Sequence, residues 1–177
     1  MAEPASPRLK FRFEPLTSRH DRAAFSCGTA ALDSYLQRQA IQDVKKHAAV
    51  AFVITPDGTT IAGYYTLSQY SVRLDEIPPE DARKLPKYPN VSTTLLGRLA
   101  VAVSFQGQKL GELMLMDALH RCLRGSKELA SAGVIVDAKN AAAANFYKKF
   151  GFMELPKVEN RMFLAIGTVE KMFANRP

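Results

Sequence analysis

The stretch Leu96 to Leu115, LGRLAVAVSFQGQKLGELML, has the makings of an anion site. Leu99-Ala100-Val101-Ala102-Val103 is an apolar run short enough for a buried strand, and an apolar helical pattern runs from Leu110 to Leu123. Between them lies a polar turn, Ser104 to Lys109, with Gly107 inside it and Gly111 just beyond. A strand, a glycine-bearing loop and a helix start aim several backbone N–H groups, and the positive end of the helix dipole, at one point. That geometry suits a pyrophosphate. A second stretch, Asp137 to Phe152, reads DAKNAAAANFYKKFGF and carries Tyr147 near the end of a helix. Beside Phe146 and Phe150, Tyr147 reads either as a core aromatic or as a proton donor, since a phenol with an ordinary pKa of about 10 is protonated at neutral pH.

These residues need elements to hold them. Leu9, Phe11 and Phe13 alternate with Lys10, Arg12 and Glu14, which predicts a first strand to Leu16. One or two helical turns are expected over His20 to Phe25. A helix is expected from an N-cap at Thr29 to about Lys46, with Leu32, Tyr35, Leu36 and Ala40 on one face. Ala48–Thr55 and Ile61–Ser68 read as strands joined by the turn Pro56-Asp57-Gly58-Thr59. Ile77 to Asn90, IPPEDARKLPKYPN, reads as a short helix within a long loop, and long ordered loops are often functional. The helix after the glycine loop has a narrow polar stripe, Asp117, His120, Arg121 and Arg124, and is expected to be deeply buried. Gly133–Val136 reads as a buried strand. Asn140 caps the helix that ends before Gly151, an expected left-handed position. Two strands, 152–154 and 161–166, are expected to close the chain. Strands and helices ordered in this way indicate a mixed α/β sheet.

With 177 residues, 47% of them apolar and 23% charged, the chain has the composition of one soluble globular domain. Its longest apolar run, Ala48 to Ile54, is far too short to span a bilayer, so no membrane partner is expected. The N-terminus lacks the apolar core of a signal peptide, so the protein is expected to stay in the cytoplasm. Cys27 and Cys122 form no disulfide framework, and His20, His47 and His120 are scattered, so no metal is expected. The formal charge of +7 and the isoelectric point near 9.5 favour polyanionic partners, nucleic acid among them.

Asn140, Ala143, Phe146, Tyr147 and Gly151-Phe152 fall at the spacing N-x-x-A-x-x-F-Y-x-x-x-G-F. With the glycine loop they make the chain resemble the GNAT acetyltransferases. The resemblance implies an α/β (α+β) fold: a central mixed, mostly antiparallel sheet with one splayed parallel strand pair, flanked by helices. It implies one such domain over residues 9–177 behind a flexible tail, 1–8. Acetyl-CoA would be the co-substrate. Gln106, Gly107, Gln108, Lys109, Leu110 and Gly111 would hold its pyrophosphate, and Leu99, Ala100 and Val101 its pantetheine arm. Asn140 and Phe146 would complete the cofactor contacts, and Tyr147 would protonate the departing CoA thiolate. One position departs from the family pattern Q/R-x-x-G-x-G/A, because Lys109 stands where its first glycine is expected. That side chain would either crowd a phosphate or point outward and add a cation.

Further stretches narrow the resemblance. Phe25-Ser26-Cys27-Gly28 with Leu32-Asp33-Ser34-Tyr35-Leu36, Gly63-Tyr64-Tyr65-Thr66-Leu67-Ser68 and Leu96-Gly97-Arg98-Leu99-Ala100-Val101 are similar to the GNAT toxins of bacterial type II toxin–antitoxin modules. Those enzymes usually carry Asp where Ala102 stands. They acetylate the α-amino group of aminoacyl-tRNA, which blocks translation; they are commonly homodimers, inhibited by a ribbon-helix-helix antitoxin. No general base is evident, although Glu112 and Asp137 are candidates. An α-amino group, with a pKa near 7.7–8.0, is already partly neutral and needs less help than a lysine at about 10.4. Lys45, Lys46, Arg83, Lys84, Lys87 and Arg98 are the expected tRNA-binding rim. The alternatives are a GNAT enzyme for a small amine or protein N-terminus, and a non-catalytic domain that binds nucleic acid or a partner.

Overall fold

Residues 10–174 are described by the computed structural model, and the expected N-terminal tail lies outside them. The elements of the first half are β1 (Arg12–Pro15), α1 (Ala30–Arg38), α2 (Ala40–Lys45), β2 (Val50–Thr55), β3 (Gly63–Arg73), α3 (Pro79–Ala82) and β4 (Asn90–Val101). Those of the second are α4 (Leu110–Gly125), β5 (Gly133–Asp137), α5 (Ala141–Lys149), β6 (Met153–Glu154), β7 (Arg161–Ala165) and α6 (Ile166–Ala174). The strands form one seven-stranded sheet in the order β1-β2-β3-β4-β5-β7-β6. β1 pairs antiparallel with β2, and β7 antiparallel with both β5 and β6. β4 and β5 run parallel, with Thr94, Leu95 and Leu96 opposite Val134, Ile135 and Val136. This is the expected mixed sheet with a parallel pair, and β4 runs on past Leu96 to Val101.

The chain divides into two compact units, one of residues up to Thr66 with Arg98–Met114, the other of Leu67–Gly97 with residues from Leu115 on. In the first, an aromatic column forms the core: Phe25 meets Tyr64 edge-on at 5.4 Å, and Tyr64 stacks on Tyr35 at 6.4 Å. Leu36, Ala40 and Val53 are fully buried around it. The β2–β3 turn forms as its residues require. Asp57 Oδ1 accepts from the N–H groups of Thr59 and Thr60, and Thr55 Oγ1 accepts from Gly58 N–H. The second unit packs Val72, Ile77, Ile135 and Phe163. There, Gly133 lets β5 approach β7, because a Cβ at that position would run into the Phe163 ring and the Leu164 carbonyl.

Several boundaries differ from the sequence reading. Residues 20–25 form turns and one bridge, Asp21 to Thr60, instead of helix. The long helix to Lys46 is divided at Gln39, whose φ is −116°, into α1 and α2. Thr29 occupies the N-cap position, but its side chain makes no cap bond. Asp33 instead turns back to accept from Cys27 N–H at 2.8 Å. β3 and β4 are longer than expected, and β7 is followed by a helix, α6, over residues that the sequence reading leaves unassigned beyond Ile166. α4 buries one face, Leu110, Met114, Leu115, Ala118, Leu119 and Cys122, while Leu113 on the other side is 46% exposed.

Candidate active site

The loop from β4 to α4 is tied down through its first half. Ala102, buried where the resembling enzymes carry Asp, donates its N–H to Ala62 carbonyl at 2.8 Å, and Val103 N–H reaches Ser26 carbonyl at 2.8 Å. The Gln106 carboxamide donates to Val101 carbonyl at 3.2 Å and to Cys27 carbonyl at 3.3 Å. Its side chain therefore works as a brace for the loop. Ala100 is buried, while Leu99 and Val101 are half-buried. Gly63, on β3, admits this strand: a Cβ there would lie 2.9 Å from the Ala100 carbonyl oxygen and 2.8 Å from Met114 Sδ.

Two residues of the loop have left-handed backbone, Gly107 at φ +83° and Lys109 at φ +60°. The second value explains the glycine of the family pattern. The turn needs φ > 0 immediately before the helix, and in this chain a lysine adopts it at some conformational cost. Lys109 is exposed, as are Gln106, Gly107 and Gln108. α4 begins at Leu110 and its ladder opens with Leu113 N–H on Lys109 carbonyl. Helix geometry leaves the N–H groups of Leu110, Gly111 and Glu112 without intrahelical acceptors. A sixteen-residue helix then presents donors, dipole and the Lys109 cation at one end.

In the second unit, Asn140 caps α5 as expected, accepting from Ala143 N–H at 2.9 Å, so its Oδ1 is committed to the helix. Gly151 ends the segment at φ +95°. Tyr147 is 9% exposed, with its ring 5.3 Å from Phe146 and 5.4 Å from Phe152. Burial pushes its phenol up to about 12. Among the described residues no fully buried side-chain N or O atom is left unsatisfied. A phenol kept protonated in an apolar wall has the chemistry of a proton donor.

Asp137, a candidate base, is held by Arg161 through both oxygens at 2.8 and 3.1 Å, and Arg161 also donates to the Tyr70 hydroxyl at 2.6 Å. Both carboxylate oxygens of Asp137 are thus committed to Arg161. The expected basic rim is spread over several settings. Lys45 and Lys46 are exposed at the end of α2. Arg83 and Lys87 line one cavity and Lys84 another. Arg98 is half-buried, its guanidinium 3.4 Å above the Tyr35 ring, whose hydroxyl donates to Asp43. Neither this stack nor the Asp137–Arg161–Tyr70 cluster has a local sequence signal, since the partners lie far apart in the chain. Among the described residues no group of acidic, histidine or cysteine side chains could hold a metal.

The mixed sheet with its one parallel pair, β4 with β5, is the fold of an acetyltransferase family. Residues 16–152 match the model of the acetyltransferase (GNAT) family, and the chain belongs to that family as an N-acetyltransferase. Over 137 residues it is 32% identical to a tRNA-acetylating toxin of Mycobacterium tuberculosis strain ATCC 25618 / H37Rv, covering 77% of this chain and 81% of the relative. The structure of AtaT complexed with acetyl-methionyl-tRNAfMet matches with a TM-score of 0.86 and 28% identity, over 92% of this chain and 99% of that one. A mutant AtaT toxin, bound to the C-terminus of the antitoxin AtaR and acetyl-CoA, matches with a TM-score of 0.79 and 25% identity, over 93% and 98%.

Proposed function

We propose that this chain transfers the acetyl group of acetyl-CoA to the α-amino group of aminoacyl-tRNA, and so acts as a translation-blocking toxin in the cytoplasm. The observation that carries the reading is the match, over nearly the whole of both chains, to a relative captured with acetyl-methionyl-tRNA. The glycine loop and the start of α4 bind the pyrophosphate, and the β4 residues Leu99, Ala100 and Val101 the pantetheine arm. Phe146 and the free amide nitrogen of Asn140 complete the donor site. The neutral α-amine attacks the thioester carbonyl; the new C–N bond forms as the C–S bond breaks. Tyr147 gives its proton to the sulfur as negative charge builds there, and water takes the proton lost by the amine. Held near 12, the phenol stays protonated across the physiological range. Asp137 is engaged by Arg161, so the chemistry relies on an amine that is already partly neutral. Lys45, Lys46 and Lys84 add phosphate contacts for tRNA. A ribbon-helix-helix antitoxin is the inhibiting partner, and the working form is a homodimer.

The test is the full chain with acetyl-CoA and a panel of charged tRNAs, following both the CoA thiol and the blocked α-amine. Acetylated aminoacyl-tRNA is expected, and Tyr147→Phe should lower kcat by about 10²–10⁴-fold with little change in acetyl-CoA affinity. Transfer to small amines or peptide N-termini, with every charged tRNA untouched, would overturn the substrate. Near-normal turnover by the Phe variant would remove Tyr147 as the acid.

A further inference from the structure

A cavity of about 900 Å³ lies in the second unit between the turn at Leu74–Glu76, α3 and the segment 87–90. Leu74, Ile77 and Ala82 give it an apolar floor. On its rim Tyr88 is 69% exposed. The backbone beneath it is braced. Pro86 and Pro89 bracket Lys87-Tyr88, each fixing its own φ and keeping the residue before it extended. Tyr88 N–H donates to Pro86 carbonyl at 2.9 Å, and Pro89 carbonyl accepts from Leu74 N–H at 3.0 Å. Three cations line the cavity, Arg73, Arg83 and Lys87, against one carboxylate, Asp75. Arg73 is engaged by Asp75, which it meets at 2.6 Å. Arg83 and Lys87 form no ion pair among the described residues.

We propose that this cavity grips the unpaired 3′ end of the nucleic-acid substrate: a base stacks on Tyr88 and the adjoining phosphates meet Arg83 and Lys87. The proposal rests on the aminoacyl-tRNA reading above and adds where the acceptor strand is held. An exposed ring on a braced backbone, two cations with no ion pair among the described residues and an apolar recess of this size match what single-stranded nucleic acid offers, a π-face and a charged backbone at every nucleotide. A lipid or a neutral small molecule would leave the cations unanswered. An acidic peptide would answer them and leave the ring without a stacking partner.

The experiment measures binding of a short fluorescent single strand with the 3′-terminal sequence of tRNA, at several salt concentrations, to the full chain. The variants are Tyr88→Ala, Tyr88→Phe and the double Arg83→Gln, Lys87→Gln. Tyr88→Ala should weaken binding about five- to hundredfold, the range for losing one base–aromatic stack, while Tyr88→Phe stays within about threefold. The double variant should flatten the salt slope by roughly one to one and a half, for two single-strand phosphate contacts. Unchanged binding by Tyr88→Ala, an equal loss in Tyr88→Phe, or an unchanged slope in the double variant overturns the proposal. So does preferential binding of an acidic peptide of the same charge. Binding needs no turnover, so the two readings separate. The expected variant pattern without acetylation of charged tRNA keeps this site and removes the proposed reaction; acetylation with insensitive binding does the reverse.

Discussion

Lys109 offers a perturbation whose sign follows from one dihedral angle. Its φ of +60° is a left-handed conformation for a side-chain-bearing residue, which costs about 1–2 kcal/mol relative to the ordinary helical region. Lys109→Gly removes that cost and returns about 0.5–1 kcal/mol through the greater freedom of glycine in the unfolded chain. The substitution also removes a cation from the positive end of α4, a gain of about 0.3–1 kcal/mol. The balance is a stabilisation of about 1.5 kcal/mol, or about 3–6 °C in Tm for a chain of this size. Lys109→Ala separates the two effects, because it loses the charge and keeps the strain; it should gain only the charge part. Urea titration of the three proteins without cofactor reads this directly. Calorimetry with acetyl-CoA at two salt concentrations reads the opposing effect, in which loss of the lysine weakens cofactor binding and makes it less salt-sensitive. An alanine variant as stable as the glycine variant would refute the strain argument. A destabilised glycine variant would show that the lysine side chain holds the loop. Tighter acetyl-CoA binding by the glycine variant would exclude a phosphate contact.

Three further outcomes follow from the geometry. Arg12, His20 and Arg19 hold the Glu14 carboxyl down to about 2 from its ordinary 4.5, so its contribution is complete above about pH 4.5 and is lost as pH falls towards 2; Tm of the wild type should fall across that window and Glu14→Gln should flatten the fall. Gly63→Ala should cost about 1–3 kcal/mol in urea titration, because the Ala100 carbonyl at 2.9 Å is backbone and cannot swing away; a cost below about 0.5 kcal/mol would mean the two strands separate freely. With Tyr147 held near 12, kcat/KM on charged tRNA should rise as the substrate amine deprotonates near pH 8 and stay flat to about pH 10; a falling limb below pH 9 would contradict the protonated, buried phenol.

What the sequence discloses is whatever short-range rules control. The glycine loop, the Asn140 cap and the left-handed Gly151 each depend on a few consecutive residues, and each forms at its expected position. The start of β4 is hidden because Ser92-Thr93-Thr94 looks like a solvated loop. Its polar side chains are satisfied from far along the chain, Thr93 Oγ1 donating to Tyr70 carbonyl at 2.7 Å and Thr94 meeting Ser131 at 3.0 Å. A buried hydroxyl with a distant partner behaves as core, and no local pattern reveals the partner. α6 is hidden for the opposite reason. IGTVEKMFA opens with a helix-poor Gly-Thr pair, and the helix follows β7 without a break, its Val169 completely buried. The candidate site divides in the same way. Lys109 is visible as a departure from pattern, but only its φ turns the departure into an energy. Arg98 is legible as a charge, and its stack on Tyr35 is not, since Tyr35 reaches it from a helix more than sixty residues earlier. A surface cation and a stacked guanidinium answer differently to substitution by lysine: the first is replaced, whereas the second loses its planar contact with the ring. Charge counts therefore favour a polyanionic partner, and the side-chain geometry decides which cations are engaged within the protein.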